Sequence, residues 1–288
     1  MAIPVQERAS GASAQFRLSA VLVALSALLV IALGAFVTSR ANAPQTEWRL
    51  GVDATVHRFV ATTVAILGLW LVFWLSQVEA MPLLGWAALA LFVVNGCVGW
   101  LGGPVVVLHA TLAPLAFAGF VAVAVARSPG WKKAPELVEG KAAPILRPLA
   151  MAAPLLLLLQ TVLGATYRHK LTGVLPHVAF AMVVTIAVLA ESALVLQHYP
   201  QHRALRRAAI GLICALIAQV VLGFTALTMQ LLQRGNSLAR ALVMATAAHV
   251  VVGSLTLAAS VVLALQVQRH VRRSPGGPPV PVMAQKDH

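Results

Sequence analysis

Apolar residues in this chain neither alternate nor recur at every third or fourth position. They run on for twenty residues or more before a charge, a proline or a glycine interrupts them. Such runs fall near 17–38, 53–76, 82–101, 104–126, 146–167, 174–197, 207–230 and 239–267. About 20 apolar residues in a helix span the roughly 30 Å hydrocarbon core of a bilayer. In hydrocarbon every backbone N–H and C=O must be satisfied within the protein, and continuous rather than alternating apolarity points to helices, not barrel strands. The pattern predicts an all-α integral membrane protein with eight transmembrane helices.

Composition agrees with that reading. Of 288 residues, 60% are hydrophobic and only 10% are charged, and the mean hydropathy is +0.87. A soluble domain could not keep so much apolar surface from water. The net charge of +13 does not point to nucleic acid, because the basic residues sit in loops and tails, where membrane insertion accounts for them. Counted by alternate compartments, the N-terminus, the 127–148 loop, the 198–207 loop and the C-terminal tail hold fourteen Lys and Arg, and the opposite loops hold seven. Cytoplasmic loops keep positive charge, so both termini are expected in the cytoplasm and the protein in the plasma membrane. The first run is expected to be an uncleaved span: Ala41-Asn42-Ala43 resembles a cleavage site, but the apolar core is too long and Pro44 would follow the cut. Cys97 and Cys214 both fall inside spans, leaving no loop disulfide and no cysteine-based metal site.

One long polar connection, from Arg127 to Pro148, divides four spans from four. An amide stands four residues before a glycine three times: Asn95 and Gly99 in span 3, Gln160 and Gly164 in span 5, Gln219 and Gly223 in span 7. Span 1 keeps Gly34 but has Val30 at the amide position. Amide and glycine then share a helix face, where the glycine permits close approach and the amide can bond across it. The recurrence predicts a parallel duplication into two pseudo-symmetric four-helix bundles. The expected domains are residues 1–127, a cytoplasmic linker over 128–145, residues 146–273, and a disordered Gly- and Pro-rich tail over 274–288.

Of nine histidines, four fall within spans: His57, His109, His177 and His249, one on each even-numbered helix and all toward the outer side. An ionisable group in a span is costly and normally faces the bundle interior with a partner. A structural hydrogen bond, a proton site and a cofactor ligand each suit a lone histidine. Four at equivalent repeat positions point to haem iron, since two imidazoles from facing helices supply both axial ligands inside a four-helix bundle. The natural pairs are His57 with His109 and His177 with His249. Zinc would require cysteines or carboxylates that the spans do not provide.

Haem propionates require cations, and Arg40, Arg58, Arg168, His169, Lys170 and Arg240 lie at the outer level, with Arg58 and Arg168 on the histidine-bearing segments. Asp53, one turn before His57, suits either an acid–base role or a first-turn helix cap. Glu191 stands fourteen residues after His177, about 21 Å down the same helix, and is expected to snorkel or to pair with a cytoplasmic arginine.

Gly34-Ala35-Phe36-Val37-Thr38 closing span 1, His57-Arg58 opening span 2, Gln160 to Gly164 followed by Tyr167-Arg168-His169, and Gln219 to Gly223 leading to His249 resemble the haem A synthase family over nearly the whole chain. The resemblance implies oxidation of the C8 methyl of haem O to a formyl group, giving haem A for terminal oxidases. It implies that His57 and His109 face the substrate haem O, with Asp53 beside them, while His177 and His249 hold a permanent haem b. It further implies partners in a haem O synthase and an electron donor.

Three features depart from the family pattern. The 39–52 loop lacks the cysteine pair common in bacterial members. The family's acid stands three residues before the first histidine, where this chain has Ala54, so that Asp53 is shifted by one. The segment after Arg168-His169 is short and reaches His177 in eight residues, which places His169 near enough to compete for iron. A non-catalytic dihaem cytochrome or oxidase-assembly protein is therefore the alternative. A transporter of parallel repeats is disfavoured, because its polar site would lie at the midplane.

Overall fold

Each apolar run closes its backbone hydrogen bonds within one helix, and the breaks fall where the chain supplies proline, glycine or charge. The computed structural model describes residues 5–42, 54–76, 83–232 and 239–272. In chain order the helices are α1 (Val5–Asn42), α2 (Ala54–Ser76), α3 (Leu83–Leu101), α4 (Val106–Ala126), the short α5 (Pro129–Lys132), α6 (Ala143–Arg168), α7 (Leu175–His198), α8 (Arg203–Leu232) and α9 (Ala239–His270). Between α3 and α4, Gly102 and Gly103 adopt φ of +61° and +56°. Side chains rarely adopt such values, so the pair makes the tight reversal possible. Asp53 and the 274–288 tail lie outside the described residues.

Six of these helices are long and apolar enough to cross a membrane, and shorter apolar stretches cover Ala54–Leu69 and Gly85–Leu101. The distribution of side chains is that of a protein dissolved in lipid. Leu18, Leu22, Leu25 and Leu29 of α1 point outward, whereas Ala20, Ala24, Ala27 and Ala35 of the same helix are buried. Small residues inside let helices approach closely, and large aliphatic ones outside meet hydrocarbon. The chain is an all-α, multi-pass membrane protein by this pattern.

Contacts among helices run in sequence order and then close. α1 touches α2 and α4, and α3 touches α2 and α4; α6 touches α7 and α9, and α8 touches α7 and α9. The first four long helices meet the last four through α1 on α9, α4 on α9 and α4 on α6.

The connection between α4 and α6 is more ordered than a linker requires. Helix α6 begins at Ala143, so the polar segment expected to run to Pro148 is shorter, and Pro144 sits in the first turn, where its missing N–H costs nothing. Within this segment β1 (Val138–Glu139) pairs in parallel with β2 (Val271–Arg272) at the end of α9, Val138 opposite Val271. Arg269 donates to the carbonyls of Trp131 and Lys133, both at 2.6 Å, with its guanidinium 4.3 Å from the centre of the Trp131 ring. Arg147 donates to the carbonyl of Val271 at 2.6 Å, and Gln268 donates back to that of Arg147 at 2.9 Å. These bonds tie the loop to the last helix and clamp the end of the molecule opposite His57, His109, His177 and His249.

Glu191 corrects one expectation. It neither snorkels nor pairs: it is wholly buried, and neither carboxyl oxygen has a hydrogen-bond partner. A buried polar group left without a partner costs about 1–3 kcal/mol. Glu191→Met, similar in length and apolar, should therefore raise stability in detergent by about that amount. Thermal unfolding of the purified variant checks this, and a drop in stability would show that Glu191 has a partner in the membrane.

Candidate functional site

His57, His109, His177 and His249, in the N-terminal parts of α2, α4, α7 and α9, have to be accommodated among closely packed spans. The preceding helix in each hairpin does so with a glycine. A β-carbon at Gly34 would stand 2.8 Å from Cε1 of His57; at Gly99, 2.6 Å from that of His109; at Gly164, 2.9 Å from that of His177; at Gly223, 3.0 Å from that of His249. Every one of these positions therefore requires the missing side chain. Four helix pairs, α1–α2, α3–α4, α6–α7 and α8–α9, carry the same joint, an imidazole seated in a glycine socket.

The residue four before each socket glycine governs the ring. His109 Nδ1 donates to the backbone carbonyl of Asn95 at 3.0 Å. Gln219 brackets His249: its backbone carbonyl accepts from Nδ1 at 3.2 Å, and its side-chain Nε2 lies 3.3 Å from Nε2 of the ring. Gln219 itself fits because a β-carbon at Gly253 would stand 3.0 Å from its Nε2. Gln160 donates to the carbonyl of His177 at 2.9 Å and lies 3.1 Å from that ring's Nδ1. With that donor at 3.1 Å, Nδ1 of His177 accepts, whereas Nδ1 of His109 and of His249 faces a carbonyl and carries the proton, leaving the lone pair on Nε2, the form a metal needs. His57 has none of this: its Nδ1 is buried without a hydrogen-bond partner.

Between hairpins the imidazoles pair as the repeat predicts. The ring centres of His57 and His109 are 6.3 Å apart with planes at 76°, and those of His177 and His249 are 6.2 Å apart at 87°. Two imidazoles trans on one metal, each bonded at about 2.0 Å with its nitrogen about 1.1 Å from the ring centre, stand about 6.2 Å apart. Rotation about the metal–nitrogen axis leaves the angle between the planes free. Besides His57 Nδ1, the buried polar atoms without partners include Oδ1 of Asn95, Oε1 of Gln160 and Oε1 of Gln219, all beside the four histidines. These residues fit a metal held between two imidazoles in each half. Among the described residues, no group of three or more His, Cys, Asp or Glu gathers to hold an ion.

The cations are less uniform. Arg58 is exposed, with its guanidinium 5.1 Å from the centre of the Trp100 ring. Arg168 crosses to the other half: it donates to the carbonyl of Ala35 and, at 2.8 Å, to Oγ of Ser39. Asn42 returns a bond to the Arg168 carbonyl at 3.0 Å. A guanidinium at the end of α1 also meets the negative pole of that helix. Arg240 is exposed at the start of α9, Arg40 lies in the last turn of α1, and Lys170, exposed, takes φ of +60° where α6 ends. His169 does not pair with His177. Burial first, then the charges of Arg168 and His109, hold its imidazole below the usual range. Ala54 is exposed at the first turn of α2.

Sequence reasoning found the amides, the glycines and the histidines but not that they form one joint. The separation from glycine to histidine differs in each hairpin, so only their order along the chain carried the signal. It also missed Ser39 and the Arg168 crossing, which no periodicity announces. No protein-family model matches the chain, and no curated protein matches it significantly.

Socket glycines and ordinary ones should respond oppositely to the same substitution. Gly99→Ala drives a methyl into His109 and should cost about 1–3 kcal/mol. Gly211→Ala, where a β-carbon meets nothing within 4 Å, should gain about 0.5–1 kcal/mol. Parallel thermal unfolding of the two variants checks this, and equal responses would mean that the imidazole is not seated against Gly99.

Proposed function

We propose that this chain is an eight-span protein of the plasma membrane with both termini in the cytoplasm. Its two four-helix bundles each place a haem between two imidazoles, and it converts haem O to haem A. The observation that carries this reading is the spacing of the two histidine pairs, 6.3 Å and 6.2 Å, close to what two axial imidazoles on one iron require. The order of motifs that resembles the haem A synthase family supplies the reaction.

In this reading the C-terminal half holds haem b between His177 and His249, with Gln160 and Gln219 orienting the rings. When bound there, a low-spin haem supplies one-electron transfer. The N-terminal half receives haem O as substrate between His57 and His109, with its C8 methyl presented for oxidation. Converting CH3 to CHO removes two hydrogens and adds one oxygen, a four-electron oxidation that dioxygen balances by leaving one water. Arg58 and His169 would meet the propionates of the substrate, Arg168 joins the halves, and Asp53 would serve as the acid. A haem O synthase, which would supply the substrate, and an electron donor are the partners that the family resemblance implies.

Placing Ala54 where the family keeps its acid favours one second reading, a haem-binding electron-transfer or oxidase-assembly protein without catalysis. Expression in a host that makes haem O but no haem A, followed by mass identification of extracted haems, separates the two. We expect haem A from the wild type and none from His57→Ala, with haem b retained in both. Haem b without haem A from the wild type would select the non-catalytic reading.

A further inference from the structure

The four histidine joints are built on one plan but are not equally finished. In three hairpins the residue four before the glycine contacts the imidazole: Asn95 through its carbonyl, Gln160 through its amide, Gln219 through both. In the first hairpin that position is Val30, buried at 9% exposure, and His57 Nδ1 has no hydrogen-bond partner. In the C-terminal pair Nδ1 of both rings thus has a partner, the Gln160 amide at His177 and the Gln219 backbone carbonyl at His249. The N-terminal pair is gripped at one ring, by one backbone carbonyl.

A ligating imidazole normally has its second nitrogen held, which fixes the tautomer and ring orientation and strengthens the ligand. Losing such a partner typically costs 10- to 100-fold in metal affinity, about 1.4–2.7 kcal/mol. Two otherwise matched sites would then differ in how readily each releases its haem. We infer that His57 is the ligand that lets go, and that Val30 keeps it weak, so the N-terminal half exchanges its haem while the C-terminal half retains its own. Val30 acts here as a positioning residue through His57. This rests on the haem reading above and adds to it the physical origin of the difference between the halves.

Haem transfer from the purified, haem-b-loaded protein to excess apomyoglobin reads out the release rates. We expect two phases, the faster absent from His57→Ala and the slower absent from His177→Ala. Val30→Gln should slow the fast phase about tenfold and leave the slow phase unchanged. Val30→Asn, close to valine in size, should act in the same direction if glutamine disturbs packing. Gln160→Val should speed the slow phase alone. Equal release from both halves, a fast phase that belongs to His177, or a fast phase indifferent to both Val30 variants overturns the inference while leaving two haem sites standing. A wild-type protein that takes up no haem at all overturns the haem reading and the inference together.

Discussion

An imidazole has no room between two closely packed helices unless the facing helix gives up a side chain, and four glycines in this protein do so. The socket they make sets the rest of the site. It fixes how near the two helices of each hairpin approach, and it holds each ring at the edge of its own hairpin, facing the ring of the next. It also brings the residue four positions before the glycine against the imidazole. The two ring pairs, 6.3 Å and 6.2 Å apart, are the consequence of two such hairpins meeting in each half.

Lipid as solvent explains why so specific an arrangement can persist. With no hydrophobic effect to drive helices together in hydrocarbon, close packing of small residues and a few interhelical hydrogen bonds have to do it. Buried alanines along α1 and α9 serve the first need. The histidine joints, the Arg168 crossing to α1 and the tied loop between α4 and α6 serve the second. The loop clamp sits at the end opposite the four span histidines, and the Arg168 crossing ties the halves at the end that bears them.

Much of this was legible in the chain. Each apolar run became one helix with ends displaced by a few residues, because backbone satisfaction in lipid leaves no other choice. The pairing of His57 with His109 and of His177 with His249 followed from the repeat. What was not legible depends on side-chain direction. Glu191 has the spacing of a residue near the boundary, yet its face of α7 turns inward, and one sequence does not reveal which face that is. Arg168 looks like an interfacial anchor until the end of α1 is seen beside it. The tied segment over 127–142 reads as a plain connection, because a two-residue strand pairing has no pattern of its own.

In the proposed function two imidazoles from facing helices ligate one iron in each half. Low-temperature electron paramagnetic resonance of the oxidised protein, with near-infrared magnetic circular dichroism on the same sample, identifies axial ligands. Low-spin ferric haem with bis-imidazole ligation is expected, part of it lost in His109→Ala and part in His249→Ala. A spectrum from bound haem that shows any other axial pair, or one unchanged in both variants, would contradict it.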